Sequence, residues 1–403
     1  MPNTYAYKVR DRRGTLITGE IVSESQDLVL AKLREQHYIP LEVKAKSRGL
    51  QREFRILPQK AKLKDLSVFS RQFATMVNSG LPLLRTLAIL EEQTQGKYLA
   101  KVVGEMRLDV EKGVSLSSAM AKHPRAFNQL FVSMVRAGET AGTLDSVLLR
   151  LADTIEREVS LRRQIKSAMT YPIVVASLVV LILSAMLIFV VPTFKDLYKQ
   201  LGGTLPLPTR ILVGVSDVVR GYFLIVVGVI VAGVWLFRRW IKTEKGRMAF
   251  DRFKLRIPVF GPLVHKTALS RFARTLSVLN RSGVPILQSL EIVQDTVNNS
   301  VVATAVKDLQ AGVKEGESLA TPLSRHKVFP AMVVQMMAVG EETGALDTML
   351  EKIANFYDEE VEATVESLTA LIEPVLIAVV GGAVGLIVIA LYLPTFRIFE
   401  LIK

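Results

Sequence analysis

Three long apolar windows limit what this chain can fold into more than any other feature of its sequence. Residues 173–191, 221–237 and 374–393 contain no charged side chain. A helix rises about 1.5 Å per residue, so each window can cross most of the hydrocarbon core of a bilayer, which is about 30 Å thick. Buried core helices of a soluble protein are the alternative, but the residues beside the windows favour membrane spans.

Basic residues lie at one end of the first two windows. Arg162 and Arg163 precede the first window, and Arg238 and Arg239 follow the second, beside the aromatic Trp240. Lys and Arg concentrate on the cytoplasmic side of membrane proteins, whereas the acidic residues before the third window have little influence. The sequence therefore predicts a cytoplasmic N-terminus without a cleaved signal peptide. Despite a net charge of +13, no nucleic-acid-binding pattern is present and we expect no nucleic-acid partner.

The second half of the chain repeats the first. Residues 78–84 (NSGLPLL) correspond to 281–287 (RSGVPIL) with an offset of 203, and 138–145 (GETAGTLD) correspond to 340–347 (GEETGALD) with an offset of 202. The tripeptide PTF follows the first and the third window at this same second offset. Each copy of the repeat therefore ends in an apolar window.

The repeat predicts the membrane topology. If both copies begin in the cytoplasm, their two spans are parallel, and one unpaired span must return the chain between them. The second window has no equivalent in the repeat and fits that role. The predicted arrangement has the N-terminus in the cytoplasm, three spans, and the C-terminus outside.

The spacing of apolar residues predicts helical bundles before the spans. Leu66, Phe69 and Phe73 share one helical face. Gly80 can end that helix in the left-handed conformation, and Pro82 suits the first turn of the next helix. Later segments continue the same spacing, so both soluble regions are expected to be all-helical.

The expected fold is mainly α: a polytopic membrane protein with two repeated cytoplasmic six-helix bundles, three transmembrane helices and a small N-terminal αβ unit. Strand patterns at 5–10, 16–22 and 39–43, with a helical pattern between the last two, define the αβ unit. The predicted segments are an αβ domain at 1–45, a basic linker at 46–64, a first bundle at 65–168, a first span at 171–193, an outer loop at 194–212, a second span at 213–238, a second bundle at 267–370 and a third span at 372–394.

Motifs typical of enzymes are missing from the sequence. The chain has no cysteine, no phosphate-binding loop of the form GxxxxGK[ST] and no HExxH zinc motif. His123 and His326 occupy equivalent repeat positions, which favours a structural role over metal binding. We therefore expect no catalytic residue, no cofactor and no metal site.

The repeated element GExxGxLD is the most specific local pattern. Glu139 and Asp145 flank a turn at Gly142. The pair could bind a cation or a basic partner, or it could belong to a turn in which Asp145 lies near a helix N-terminus. The turn is favoured, because one or two carboxylates make a weak site for a hard cation. The repeated-motif residues, structural or partner-binding, are Gly80, Pro82, Gly138, Glu139, Gly142, Leu144, Asp145, Gly283, Pro285, Gly340, Glu341, Gly344, Leu346 and Asp347.

Polar and small residues near the spans each have two interpretations. Gly381 and Gly385 form GxxxG, which would let a neighbouring helix approach for transmembrane packing, although glycine is also tolerated in membrane helices generally. Asp217 and Arg220 lie at the outer end of the second window. An interfacial position explains this pair better than a transport pathway does.

Together these patterns resemble the polytopic platform proteins of type IV pilus assembly and type II secretion systems. The resemblance covers nearly the whole chain. It is carried by FSRQFATM at 69–76, SGLP at 79–82, both GExxGxLD elements, VPTF at 191–194 and LPLPTR at 205–210. The first two motifs look more like the pilus branch.

This resemblance implies a non-enzymatic machine part in the bacterial inner membrane. Platforms of this family couple a cytoplasmic hexameric ATPase to the insertion of pilin into a filament. The implied partners are that assembly ATPase, a retraction ATPase as a further candidate, pilin or pseudopilin transmembrane helices, other inner-membrane assembly proteins, membrane lipid and further copies of the chain. The expected function is the platform of a type IV pilus machine. The alternatives are the equivalent platform of a type II secretion system and, more distantly, a small membrane transporter.

Overall fold

In a computed structural model the chain forms two compact units, Met1–Gln59 and Lys60–Lys403. The structure describes residues 3–10, 16–23, 26–35, 38–45, 60–200 and 207–401. Most of the predicted basic linker, residues 46–59, therefore lies outside the described residues.

The N-terminal unit is a three-stranded antiparallel sheet packed against one helix. Its elements are β1 (Asn3–Arg10), β2 (Leu16–Ser23), α1 (Gln26–Glu35) and β3 (Ile39–Ala45), with β1 in the centre of the sheet. Tyr5 and Val9 are four residues apart on β1, so they face the same side of the sheet. They are buried there together with Val29 and Leu33 of α1.

Two bundles of six helices make up most of the second unit, and their helices correspond in order. The first bundle contains α2 (Leu63–Asn78), α3 (Leu83–Gln93), α4 (Lys97–Glu111), α5 (Leu116–Ala121), α6 (Gln129–Ala141) and α7 (Leu144–Ala185). The second contains α12 (Phe260–Arg281), α13 (Ile286–Thr296), α14 (Ser300–Lys314), α15 (Ala320–Ser324), α16 (Ala331–Glu342) and α17 (Leu346–Leu401). The mainly helical, repeated fold predicted from the sequence is confirmed.

Equivalent phenylalanine pairs lie in the two bundle cores. The ring centroids of Phe69 and Phe127 are 5.8 Å apart, and those of Phe272 and Phe329 are 5.0 Å apart. All four side chains are at most 5% exposed. Each pair joins the first helix of a bundle to the connection between its fourth and fifth helices, so the same packing stabilises both copies.

Left-handed glycines end the first helix of each bundle. Gly80 has a φ of 81° and Gly283 a φ of 77°. The N–H that follows Gly80 donates to the carbonyl of Met76 at 3.1 Å, which satisfies a carbonyl of the last helical turn. Pro82 and Pro285 stand immediately before α3 and α13, where a missing N–H costs little.

The sixth helix of each bundle continues into its apolar window without a break. α7 passes through a π-helical segment (Met186–Val190) into α8 (Val191–Gln200), and α17 continues to its end as one helix. The stretches predicted as spans at 171–193 and 372–394 are therefore helical, but they continue the sixth helices without a boundary between bundle and span. Pro172 stands at the start of the first predicted span and lies inside α7. A membrane helix must satisfy its backbone internally, so it continues and tolerates one missing N–H.

These two long helices are candidate membrane spans by length and composition. The most apolar stretch of the first is 0% buried in the protein and that of the second is 6% buried. A core helix of a soluble protein would be mostly buried. The exposure of such long apolar surfaces therefore favours contact with lipid.

The stretch between the two copies differs from the predicted one. α8 and α9 (Leu207–Gly221) are helical where an outer loop was expected at 194–212. The expected second span at 213–238 is divided into α9 and α10 (Phe223–Ile241). The division falls at Tyr222, whose φ of −118° and ψ of 25° are not helical, after a glycine with poor helix propensity. α10 remains the predicted return span, and α11 (Glu244–Arg256) connects it to the second bundle.

Replacing Phe69 or Phe272 by alanine is expected to lower the free energy of unfolding by about 3–5 kcal/mol, because each change removes a buried ring and leaves a cavity. The neighbouring Val68 is 51% exposed, so Val68→Ala is a control that should change stability by less than about 0.5 kcal/mol. Thermal unfolding of the detergent-solubilised chain, followed by circular dichroism, measures both. Equal effects of Phe69→Ala and Val68→Ala would contradict the assigned core.

Candidate functional site: the repeated turns, the bundle interface and the membrane junction

The glutamate of the repeated element caps a neighbouring short helix. The Glu139 carboxylate accepts hydrogen bonds from the N–H groups of Leu116 at 2.5 Å and Ser117 at 3.1 Å, at the start of α5. Glu341 accepts from the N–H of Leu319 at 2.7 Å, at the start of α15. The first N–H groups of a helix have no partner within it, so a carboxylate both satisfies them and complements their partial charge.

The two glycines of each GExxGxLD element are required for different structural reasons. Gly138 lies so close to α7 that an added Cβ would stand 3.1 Å from a side-chain atom of that helix. At Gly340 the equivalent distance to the backbone of α17 is 3.0 Å. Gly142 and Gly344 both have a φ of 69°, the left-handed conformation that ends a helix. The element therefore fixes the fifth and sixth helices of each bundle against each other.

The remaining residues of the element begin the sixth helix. Leu144 and Leu346 are its first residues and pack against the core. Asp145 and Asp347 lie in the first turn, where negative charge is favourable. Within the described residues, no group of three or more His, Asp or Glu could hold a metal ion. The geometry thus supports a structural turn, and partner binding by these residues stays a prediction.

A second repeated feature, which the motifs did not predict, ties the first helix of each bundle to the sixth. Arg71 of α2 donates to Glu156 of α7 at 2.6 and 2.7 Å. Arg274 of α12 donates to Asp358 of α17 at 2.5 Å. The arginines are equivalent at the offset of 203 and the acids at 202, and this repeated spacing is the signal that could have revealed them.

The Arg71–Glu156 pair depends on pH in a defined direction. The hydrogen bonds that Arg71 donates hold the pKa of the Glu156 carboxyl below its usual range. Its hydrogen bonds to Glu156 and Asp153 in turn raise the pKa of Arg71. Because the pKa of Glu156 is lower in the folded state, the pair stabilises the bundle above the unfolded pKa. This contribution is lost as the pH falls through the folded pKa.

The two bundles contact each other along their sixth helices. Arg157 donates to the side-chain oxygen of Asn355 at 3.1 Å, and Gln164 donates to Glu362 at 3.0 Å. Both pairs are separated by 198 residues. A constant separation along two helices means that α7 and α17 run parallel, which is the relative direction that the repeat predicts for the two copies.

A cleft of about 730 Å³ opens between the two bundles. Its charged lining residues are five bases and three acids: Lys60, Arg157, Arg162, Arg271, Arg274, Glu158, Asp295 and Asp358. Burial lowers the pKa of Arg271, and within the described part of the chain its Nε atom has no hydrogen-bond partner. Glu158 lies 2.6 Å from Arg162 and 3.5 Å from Arg271. The cleft therefore presents more positive than negative charge, which suits acidic groups of a partner.

At the membrane end of the first copy, a proline leaves one carbonyl oxygen without a backbone donor. The N–H of Val191 donates to Met186, five residues earlier, as expected of a π-helical segment. In this register the next N–H would serve Leu187, but residue 192 is proline and has none. The hydroxyl of Ser216 on α9 donates to the Leu187 carbonyl at 2.5 Å and replaces that donor.

The second copy is completed in the same way. Pro394 has no N–H, so the carbonyl of Ala390, four residues earlier in α17, lacks its helical donor. The hydroxyl of Thr209 on α9 donates to this carbonyl at 2.6 Å. Thr209 and Ser216 are seven residues apart, on one face of α9, and both are at most 1% exposed. α9 therefore binds the two membrane helices together.

The other residues singled out near the spans lie apart from this junction. Asp217 forms an ion pair with Lys195 of α8 at 2.7 Å, which agrees with an interfacial position. The side chain of Arg220 is outside the described part of the structure. A Cβ at Gly381 or Gly385 would meet no atom within 4 Å, so in the described chain no helix packs on this face.

The chain is similar to a known family over both copies of the repeat. The family described as type II secretion system (T2SS), protein F matches residues 69–192 and again 272–394. The family described as the N-terminal domain of type II secretion system protein F matches residues 1–44. Each of the two matches to the first family begins within the first helix of a bundle and ends just past the apolar window that follows that bundle.

Curated relatives match along nearly the whole length. The type IV pilus assembly protein PilC of Thermus thermophilus is 46% identical over 397 residues, 98% of each chain. The type IV pilus assembly protein PilC of Myxococcus xanthus is 41% identical over 396 residues, 98% of this chain and 94% of that one. The type II secretion system protein F of Aeromonas hydrophila is 35% identical over 383 residues, 94% of this chain and 99% of that one.

Removing the capping carboxylate is expected to weaken each bundle. Glu139→Ala should lower the free energy of unfolding by about 0.5–2 kcal/mol, because two N–H groups at the start of α5 lose their acceptor. Glu139→Gln keeps an acceptor and should lose less. Glu342→Ala is the control, because Glu342 is exposed and stands next to Glu341, the equivalent of Glu139 in the second copy. If Glu139→Ala unfolds in denaturant like that control, the capping role is wrong.

Removing the hydroxyls of α9 is expected to loosen the membrane junction. Thr209→Val and Ser216→Ala should each lower the stability of the chain in bilayers by about 0.6–1.7 kcal/mol, the range measured for hydrogen bonds between membrane helices. Ser177→Ala is the matched control, because the Ser177 hydroxyl donates to the carbonyl of Ile173 within its own helix. Steric trapping or unfolding in bicelles gives the stability, and an Ser177→Ala effect as large as the other two would refute the junction.

Proposed function

This chain belongs to the family of type II secretion system protein F, and from that membership we propose that it is the inner-membrane platform of a type IV pilus assembly machine. It is homologous to type IV pilus assembly proteins over nearly its full length and is also related to secretion proteins F. Proteins of this family are non-enzymatic assembly proteins. The observation that carries the pilus assignment is the 46% identity over 98% of both chains with a pilus assembly protein.

The proposed platform transmits movement through its two long helices. α7 and α17 each belong to a bundle at one end and to an apolar window at the other. A continuous helix is stiff over such a length, so a displacement of a bundle moves the membrane end of the same helix. We place the bundles in the cytoplasm and the C-terminus outside, in agreement with the basic flanks.

Two partners follow from this arrangement. A cytoplasmic hexameric ATPase would dock on the exposed surfaces of the bundles, where the basic cleft suits acidic groups. Pilin transmembrane helices would contact the exposed faces of the membrane helices, including the open face at Gly381 and Gly385. Both partners would then act on the same two helices from opposite ends.

The platform of a type II secretion system is the second candidate, because the matched family carries that description. A small transporter is not supported. Transporters place ionisable residues deep within their spans, whereas the windows at 173–191 and 374–393 have none.

Photoreactive residues introduced one at a time into the full chain, in its own cells, test both proposed contacts. Leu108 and Val339 are exposed on the bundles, and Val180 and Ile377 are exposed on the membrane helices. The bundle positions are expected to cross-link to the assembly ATPase and the span positions to pilin, so each pair is the control for the other.

Deletion of the chain distinguishes the candidate systems. Surface pili are expected to disappear and to return when the wild-type chain is supplied in trans, while protein secretion continues. Loss of secretion with normal piliation would assign the chain to a type II secretion system. Normal piliation together with normal secretion would overturn the platform role altogether.

A further inference from the structure

Helix α11 and the turn that follows it expose an unusual mixture of basic and apolar side chains. Phe253, Val259 and Phe260 are 61%, 42% and 40% exposed. Basic residues at spacings of seven and four lie on one face of α11 and are exposed beside them. We call this surface the foot, and its residues are Lys245, Arg252, Phe253, Arg256, Val259 and Phe260.

The opposite side of α11 is fixed by contacts to its neighbours. Asp251 is 3% exposed and accepts from the N–H of Ser300 at 2.8 Å and from its hydroxyl at 2.7 Å, at the start of α14. Lys254 lies 2.6 Å from the same carboxylate. Phe250 packs edge-on against Phe237 of α10, with ring centroids 5.5 Å apart. The foot is therefore held in place by both the second bundle and the predicted return span.

The pairing of α12 with α17 gives the level of the foot relative to the membrane. Lys266 donates to the hydroxyl of Thr364 at 2.9 Å, and Leu263 packs in one cluster with Leu368. Moving toward the start of α12 thus moves toward the membrane end of α17. Phe260 is three residues before Leu263 on α12, so it lies level with the residue three positions after Leu368 on α17. That residue is 371, just before the third apolar window begins at 374.

The other end of the foot is at the end of α10. An added Cβ at Gly246 would stand 2.0 Å from the carbonyl of Trp240, so α11 turns back directly at the end of α10. Nearby, Arg239 lies over the ring of Trp235 at 5.7 Å. Trp and Arg at the end of an apolar helix are typical of the cytoplasmic boundary of a membrane. Both ends of the foot therefore lie at the same boundary.

The turn at Val259 keeps an apolar side chain exposed at a conformational cost. Val259 has a φ of 76° and a ψ of −50°, and the N–H of Phe260 donates to the carbonyl of Pro258 at 3.0 Å in a three-residue turn. A positive φ is a real outlier for a β-branched residue, and glycine would adopt it without strain. Such outliers concentrate at functional positions.

We propose that the foot inserts Phe253, Val259 and Phe260 into the cytoplasmic leaflet and binds the phosphate groups of anionic phospholipids. Apolar side chains beside Lys and Arg are the composition of interfacial membrane anchors. Lys245, Arg252 and Arg256 complement the negative surface of that leaflet, whereas a second copy of the chain would bring the same cations together. The foot anchors the first helix of the second bundle to the bilayer, so that this bundle keeps a fixed orientation to the membrane.

The experiment uses the absence of cysteine from the chain. Val259→Cys in the full chain is labelled with an environment-sensitive fluorophore and reconstituted in nanodiscs that contain nitroxide-labelled lipid. Val339→Cys is the matched control: it replaces an exposed valine of α16 that adjoins the start of α17, about 40 Å along that helix from the third window. We expect quenching several-fold stronger at position 259 than at 339.

The charge dependence tests the headgroup contact. Quenching at position 259 is expected to increase when phosphatidylglycerol is added to phosphatidylcholine, and the increase should be lost with Arg252→Gln and Arg256→Gln together. Ala249→Cys, at an exposed position of α11, repeats the measurement without altering the strained turn.

Several results would overturn the proposal. Equal quenching at 259 and 339 would exclude insertion, and quenching independent of phosphatidylglycerol would exclude the headgroup site. Protection at 259 that varies with protein density and not with nitroxide lipid would assign the surface to a second copy. Nitroxide lipid is present in both leaflets, so quenching reports bilayer contact on whichever side the foot lies. A wrong membrane orientation would therefore not abolish the quenching expected for a foot that contacts lipid.

Discussion

Hydrocarbon cannot hydrogen-bond to a polypeptide backbone, and this constraint explains the organisation of the second unit. It keeps α7, with its π-helical continuation, and α17 unbroken from the bundles through the apolar windows. It also makes the carbonyls left open by Pro192 and Pro394 costly unless another donor reaches them. Thr209 and Ser216 supply these donors from one helix. The same two bonds that complete the backbones therefore join the two copies of the repeat.

The duplication extends from this junction to the bundles. Glu139 and Glu341 cap equivalent short helices, and Arg71 and Arg274 bind equivalent acids on the sixth helices. Each bundle is thus tied to its own long helix, and the contacts between the long helices keep them parallel. A platform that links cytoplasmic movement to the membrane needs this continuity, and the foot adds a second attachment to the bilayer on the side of the second copy.

Local patterns predicted the parts of the fold that depend on neighbours in the sequence. Gly80 and Pro82 predicted a helix junction because their backbone preferences are intrinsic, and repeat offsets predicted equivalent bundles. The continuity of α7 through Pro172 was not predictable, because a proline suits a helix start equally well and only the membrane context explains its place inside the helix. The hydroxyls of α9 were not predictable, since their partners are 29 and 181 residues away. The strained Val259 likewise carries no pattern in the sequence.

The most direct test of the account is the membrane sidedness of single cysteines in this cysteine-free chain. Thr204→Cys lies between α8 and α9, Glu244→Cys at the start of α11, and Lys403→Cys at the C-terminus. An impermeant thiol reagent applied to intact spheroplasts should label positions 204 and 403, and should label 244 only after the membrane is permeabilised. Labelling of 204 and 244 from the same side, or of 204 and 403 from opposite sides, would contradict two parallel copies joined by a returning α10. Labelling of 244 alone from outside would contradict the cytoplasmic position of the bundles.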